Sequence, residues 1–255
     1  MPMLLPPSPI YLDWTFWAAV FSLVAIILSQ LPPVHLLLRP KRLEVEVCSR
    51  IRISHKAGNP NAGLVVSVRN TGGRALRIRS LCLRIARDGE PLLTLSGKTF
   101  FETATATTPV LFVPFNMRPG DDWSHSVMFF NDFDRLTEKN FRQCMSTLSA
   151  DIRQKIAARK NGDEAAVVAD PKLVEPFLKL FGELFVWKPG EYVATLDVLA
   201  EPGSASFSKK YRFTLYESDT RDLEAFTDDY KLGGGIIYTV PAHNGVDIPL
   251  AEHVG

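Results

Sequence analysis

LEVEVCSRIRI, residues 43–53, puts Leu43, Val45, Val47, Ile51 and Ile53 on one side of an extended chain and Glu44, Glu46, Arg50 and Arg52 on the other. A period of two marks a strand with one buried face. After it, HKAGNPNAG (55–63) reads as a loop rich in Gly, Asn and Pro. Leu64–Val68 is a second strand, and Asn70-Thr71-Gly72-Gly73 a turn, because Asn and Gly tolerate positive φ. The third strand, Ala75–Ile85, changes parity between Leu76/Ile78 and Leu81/Leu83/Ile85, which predicts a bulge near Arg79 and Ser80.

Asp88-Gly89 turns the chain into further strands at Pro91–Leu95 and Val110–Phe115. Met117-Arg118-Pro119-Gly120 leads into Trp123–Phe130, and Lys188-Pro189-Gly190 into Glu191–Leu199. Glu201-Pro202-Gly203-Ser204 joins the latter to Phe207–Tyr216. Short strands punctuated by such turns indicate a β-sandwich. The stretches VSVRNTGGRALRIRSLCL (66–83), FNMRPGDDW (115–123) and KPGEYVATLDV (188–198) resemble strands and corners of immunoglobulin-like or fibronectin-like sandwiches. The chain is also similar to uncharacterised bacterial single-pass membrane proteins that carry one such domain. The resemblance covers residues 43–130 and 187–217, and it implies a fold, not a function.

Residues 133–186 interrupt the strands. Phe141, Met145, Leu148, Ile152 and Ile156 recur at three or four residues, the spacing of an amphipathic helix that Asn161-Gly162 can end. Asp170-Pro171 reads as N-cap and first residue of a second helix, with Phe177, Leu178, Phe181, Leu184 and Phe185 as its apolar face. Pro176 lies in its first turns. This inserted pair either caps the sandwich or presents a partner surface. The tail, 218–255, holds a short helix at Arg221–Tyr230, a Gly233-Gly234-Gly235 turn and a strand at Ile236–Val240.

Upstream, WTFWAAVFSLVAIILSQLPPVHLLL (14–38) contains no Asp, Glu, Lys or Arg. A run of at least about 18 uncharged, mostly apolar residues can span the ~30 Å core of a bilayer. Trp14 and Trp17, with Tyr11 before them, suit the headgroup level, and Pro32-Pro33 set the end of the helix. A signal peptide is disfavoured because residues 1–12 lack a basic n-region. A buried core helix is disfavoured because no polar face accompanies the apolar one. The expected organisation is therefore a short N-terminal segment (1–12), a transmembrane helix and interfacial segment (13–38), an immunoglobulin-like antiparallel β-sandwich (39–217) with a helical insertion (133–186), and a tail (218–255).

Basic residues crowd the C-terminal side of the span: Arg39, Lys41 and Arg42, then Arg50, Arg52 and Lys56. Positive residues stay cytoplasmic, so the expected place is a bacterial inner membrane, N-terminus out and the domain cytosolic; a periplasmic domain is the alternative. Cys48, Cys82 and Cys144 are few, odd in number and far apart, which is no disulfide framework. Residues 39–87 hold 12 Lys or Arg against Glu44 and Glu46, although the whole chain carries a net charge of only +1. Such a basic front beside a membrane suits anionic lipid, with Arg39, Lys41, Arg42, Arg69 and Arg74 as the expected headgroup contacts. Solvated strand faces explain the same alternation.

Chemistry is hard to find. The five histidines form no HExxH and no zinc spacing with cysteine, and there is no nucleophile-elbow motif. Asp132-x-Asp134 precedes a helix, where acids are favoured by the dipole in any case. No metal, cofactor or catalytic residue is expected, and no nucleic-acid partner. The expectation is a non-enzymatic binding or scaffold module, with the loop residues His55, Lys56, Asn59 and Asn61 as the site for a cytosolic or membrane protein partner. Rival readings are a membrane effector of a bacterial stress or antiviral system, in which a homo-oligomer forms, and an enzyme. The span has no Gly-x-x-x-Gly and no charged face to support a pore.

Overall fold

Alternation of apolar and charged residues recurs in nearly every segment after Pro40, and the strands it produces bond into one sheet. The computed structural model describes residues 14–30, 40–103, 105–159 and 166–253. The strands are β1 Leu43–Val47, β2 Arg50–Lys56, β3 Asn59–Asn70, β4 Leu76–Arg87, β5 Glu90–Phe101, β6 Val110–Leu111, β7 Phe115–Met117, β8 Asp122–Phe130, β9 Gly190–Glu201, β10 Phe207–Leu215, β11 Val246–Pro249 and β12 Ala251–Glu252. The α-helices are α1 Trp14–Gln30, α2 Arg135–Ala157, α3 Pro171–Leu184 and α4 Glu217–Ala225. The protein is mainly β with a helical pair inserted between β8 and β9.

The sheet runs β11-β2-β3-β8-β5-β4-β9-β10-β12, with β1 on β3, β6 on β5 and β7 on β4. All named pairings are antiparallel, and the sheet curls until it is nearly closed. This differs from the two separate sheets that the immunoglobulin resemblance implies. The interior is filled by the inward set of each strand: Leu43, Val45, Ile51, Ile53, Leu64, Val66, Leu76, Ile78, Leu81, Leu83 and their counterparts on β8, β9 and β10. Val47 is half-buried, and Glu44, Glu46, Arg50 and Arg52 are exposed. The parity change in β4 is a register shift between Ile78 and Ser80, so the expected bulge is present.

Four expectations need correction. The stretch 55–63 is no long loop: β2 continues to Lys56, β3 starts at Asn59, and Ala57-Gly58 alone turn the chain with φ of 48° and 89°. Gly, Asn and Pro suggested a loop by composition, but two consecutive positive φ angles make the tight turn that matches strand twist. The tail is not separate from the sheet, because β11 pairs with β2 and β12 with β10. Ile236–Val240 is not a strand; it folds back in a turn held by Gly235 N–H to the Tyr238 carbonyl. The Asn70–Gly73 turn uses no positive φ. Instead the buried Asn70 amide donates to the Arg74 and Met117 carbonyls and its oxygen accepts from Gly72 N–H.

Asp134 caps α2, accepting from Leu136 and Thr137 N–H, and the Thr137 hydroxyl, which donates to it as well, joins these bonds in holding its carboxyl below the usual range. Asp170 caps α3, with Pro171 at its first turn as expected. The proposed helix end at Asn161-Gly162 lies outside the described residues. So do Tyr11 and residues 31–38 of the apolar stretch, Pro32-Pro33 among them. What is described of that stretch is α1, 17 residues long. Among the described residues, no helix is long and apolar enough to cross a membrane.

Candidate functional site

The β2–β3 turn sits at one end of the barrel, under the inserted helices. Ala57 joins Phe141 and Leu148 of α2, Val174 and Phe177 of α3, and Tyr230 and Ile236 of the tail in a second apolar cluster. Gly58 lies so close to α3 that a Cβ there would stand 2.7 Å from the Phe181 backbone. Each residue expected to line a partner-binding loop is used within the fold. His55 packs among the rings of Phe181, Phe185 and Phe226. Its Nδ1 accepts from Gly58 N–H at 3.1 Å, so the ring is neutral with its proton on Nε2, 2.9 Å from the Leu223 carbonyl. Burial accordingly holds its pKa below the ordinary value. Lys56 lies over the Phe141 ring, and Asn59 donates to the Asn131 carbonyl. Asn61 sits mid-ladder, in register with Ser54 and Phe130. The expected long loop is therefore corrected to a tight hairpin docked on helices.

The other end carries the charge. Thr71 N–H donates to the Arg42 carbonyl, which ties the chain entering β1 to the β3–β4 turn. Gly72 permits the approach, since a Cβ would stand 2.7 Å from the Pro40 carbonyl oxygen and 2.8 Å from Arg42 N. Asn70 also exchanges backbone bonds with the β7–β8 turn, donating to Asp121 and accepting from Gly120. Lys41, Arg42, Arg74 and Arg118 thus gather at one end. Arg42, Arg74 and Arg118 are exposed, and none of the four has an ion-pair partner among the described residues. Arg39 lies outside the described residues. Arg69 stands in register between Glu44 on β1 and Asp122 on β8. Arg118 was missed by the sequence reading; its place in a Pro-Gly turn was legible, but not that this turn abuts Asn70.

Asp229 and His243 form a close pair, and Phe226 stacks on both His243 and His55. The cavity beside them, which Tyr230 also lines, measures about 20 Å³, room for about one water molecule. Tyr230 has a buried hydroxyl without a hydrogen-bond partner among the described residues, and burial raises its pKa. No group of three His, Cys, Asp or Glu side chains able to hold a metal occurs among the described residues. No protein-family model matches the chain, and no curated protein does.

Proposed function

We propose that this chain is a membrane-anchored, non-enzymatic scaffold, with α1 inserted in a bilayer and the barrel standing on its cytosolic side. The observation that supports this most is α1 itself. Phe21, Leu23, Ile26, Ile27 and Leu28 are 65, 60, 60, 53 and 55% exposed, on a helix without a charged residue. A helix apolar on every side suits lipid or a protein interior, and an interfacial helix would need a polar face that α1 lacks. Seventeen residues reach roughly 25 Å at ~1.5 Å each, short of the ~30 Å hydrocarbon core. A short span is accommodated by local thinning of the bilayer.

Orientation rests on charge. Residues 1–13 contain no Lys or Arg, whereas Arg39, Lys41 and Arg42 follow the span. Free thiols at Cys48, Cys82 and Cys144 suit a reducing compartment. Lys41, Arg42, Arg74 and Arg118 would then meet anionic headgroups, each adding on the order of 1 kcal/mol within a Debye length. With attachment left to the anchor, this attraction sets the tilt of the barrel, which serves as a rigid platform for a protein partner.

C-terminal reporter fusions together with alkaline extraction of membranes test this reading. The expected result is an extraction-resistant protein, active with a cytosolic reporter and silent with a periplasmic one. Release by alkali would remove the anchor, and the opposite reporter pattern would reverse the topology.

A further inference from the structure

One stretch of the barrel wall is apolar on its outside. Residues 103–117 contain no Asp, Glu, Lys or Arg, and within them Val110, Leu111 and Val113 are 40, 72 and 64% exposed. The backbone holds this exposure in place. Val110 and Leu111 form β6 against Phe100 and Thr99 of β5, and Phe112 N–H donates to the Lys98 carbonyl at 2.8 Å. Pro109 and Pro114 flank the segment and fix their own φ angles. The aromatic residues turn the other way. Phe112 and Phe115 pack on Trp123 with ring centroids 6.2 and 5.3 Å apart, and all three lie against the barrel core. Packing takes up the rings and leaves the aliphatic side chains outside.

The stretch belongs to the charged end. β4 starts at Leu76, just past Arg74, and β5 pairs with it antiparallel, so β5 runs toward that end and releases the chain there at Phe101. The chain returns through β7, whose Met117 pairs with Leu76 and precedes Arg118. Pro40 and Arg42, which lead in from the side of α1, lie against Gly72 at the same end. Arg42, Arg74 and Arg118 are exposed there. Of the acids nearby, Asp121 accepts from Arg118 N–H and Asp122 from the Ser67 hydroxyl. Glu102, just before the stretch, is exposed.

We propose that Val110, Leu111 and Val113 enter the interfacial layer of the bilayer that holds α1, as a second, shallow membrane contact accompanied by arginines. The proposal rests on the anchored-scaffold reading and adds an apolar site to its basic end. Exposed apolar patches with a polar rim mark protein or membrane contacts. Here position and charge choose the occupant. In the anchored reading a bilayer is always present at this end, and arginines beside aliphatic side chains match anionic headgroups above acyl chains. A soluble partner would have to displace that bilayer. The contact has a consequence that charge alone does not. Basic residues spread over the end favour tilt in no particular direction, whereas an apolar patch on one wall makes the barrel lean on its β6 side.

The test uses the full chain, methyl-labelled at Ile, Leu and Val, in anionic nanodiscs with one chain per disc. A lipid carrying a nitroxide near the top of its acyl chain is the probe. The Leu111 and Val113 methyl signals should be lost to paramagnetic broadening, as should those of Leu23 and Ile27 in α1. Leu178, 45% exposed on α3 at the opposite end, should keep its signal. Leu111→Asp with Val113→Asp, both at exposed positions, should return the Val110 signal without changing α1. Signals retained at Leu111 and Val113 while α1 loses its own would overturn the proposal and leave the anchor standing. Equal loss at Leu178 would overturn it too, because the contact would then be unspecific. So would methyl shifts at Leu111 and Val113 that follow the number of chains per disc without nitroxide broadening, which would make the patch a contact between copies. Signals retained in α1 but lost at Leu111 and Val113 would sink the anchor and leave this contact in place.

Discussion

The two ends of the barrel are built from the same strands and finished in opposite ways. β3 begins at Asn59 beneath α3 and ends at Asn70 among Arg42, Arg74 and Arg118. At the first end, apolar residues of two inserted helices and the tail cover the hairpin and form a second core. At the other, exposed charges face outward. An end that buries its apolar residues against its own chain adds stability. That contrast gives the inserted helices a capping role over the hairpin.

The largest effect is expected in the cap. Phe177 is buried against Phe141, and Phe177→Ala should lower stability by about 3–5 kcal/mol, read by thermal or denaturant unfolding in micelles. The exchange rates of the Asn70–Arg74 turn should not change under native conditions. Equal loosening at that turn would make the two ends one cooperative unit. In the barrel between them, Ile51→Ala should lose about 2–5 kcal/mol, whereas Arg50→Ala should stay within about 0.5 kcal/mol. Similar losses would mean that β2 is buried on both faces.

At the charged end, Asn70→Ala should cost about 1–3 kcal/mol, because it leaves the buried Met117 carbonyl and the partly buried Arg74 carbonyl without their donor. Faster amide exchange at Gly72, whose N–H the Asn70 oxygen accepts, should accompany it. A stability loss without that change would separate the turn from the Asn70 side chain. The smallest effect is on pH dependence. His55 is held neutral in the fold, so the unfolded chain takes up its proton at higher pH. Its contribution is complete above the ordinary imidazole range near ~6.5 and is lost as pH falls from there through the lowered folded-state pKa. The melting temperature should drop over that interval, and less steeply in His55→Gln. Parallel curves would remove His55 as the source.

How legible the molecule was depended on the range of the interactions. Alternation in Leu43–Ile53 and in Glu191–Leu199, the bulge after Ile78 and the Asp170-Pro171 start of α3 are local, and each could be read from neighbours in the chain. Closure of the barrel was not, because Val246–Asp247–Ile248–Pro249 pairs with β2 some two hundred residues away and carries too short a pattern to mark a strand. The hairpin misled for a related reason: Asn59, Pro60, Asn61 and Gly63 have loop composition, but the ladder to β2 and β8 overrides it. At the basic end, Lys41, Arg42 and Arg74 were found from charge. That Glu44 and Asp122 flank Arg69, and that Arg118 belongs there, needed the strand register.

The most direct test of the contrast is hydrogen exchange on the full chain in nanodiscs, comparing anionic with neutral lipid at low and high salt. The expected result is slower exchange in the Asn70–Arg74 and Arg118–Asp121 turns on anionic lipid only, reversed by salt, with α2 and α3 unchanged. Protection of the helices instead, or no difference between the two lipids at either end, would contradict the placement of the basic end against the membrane.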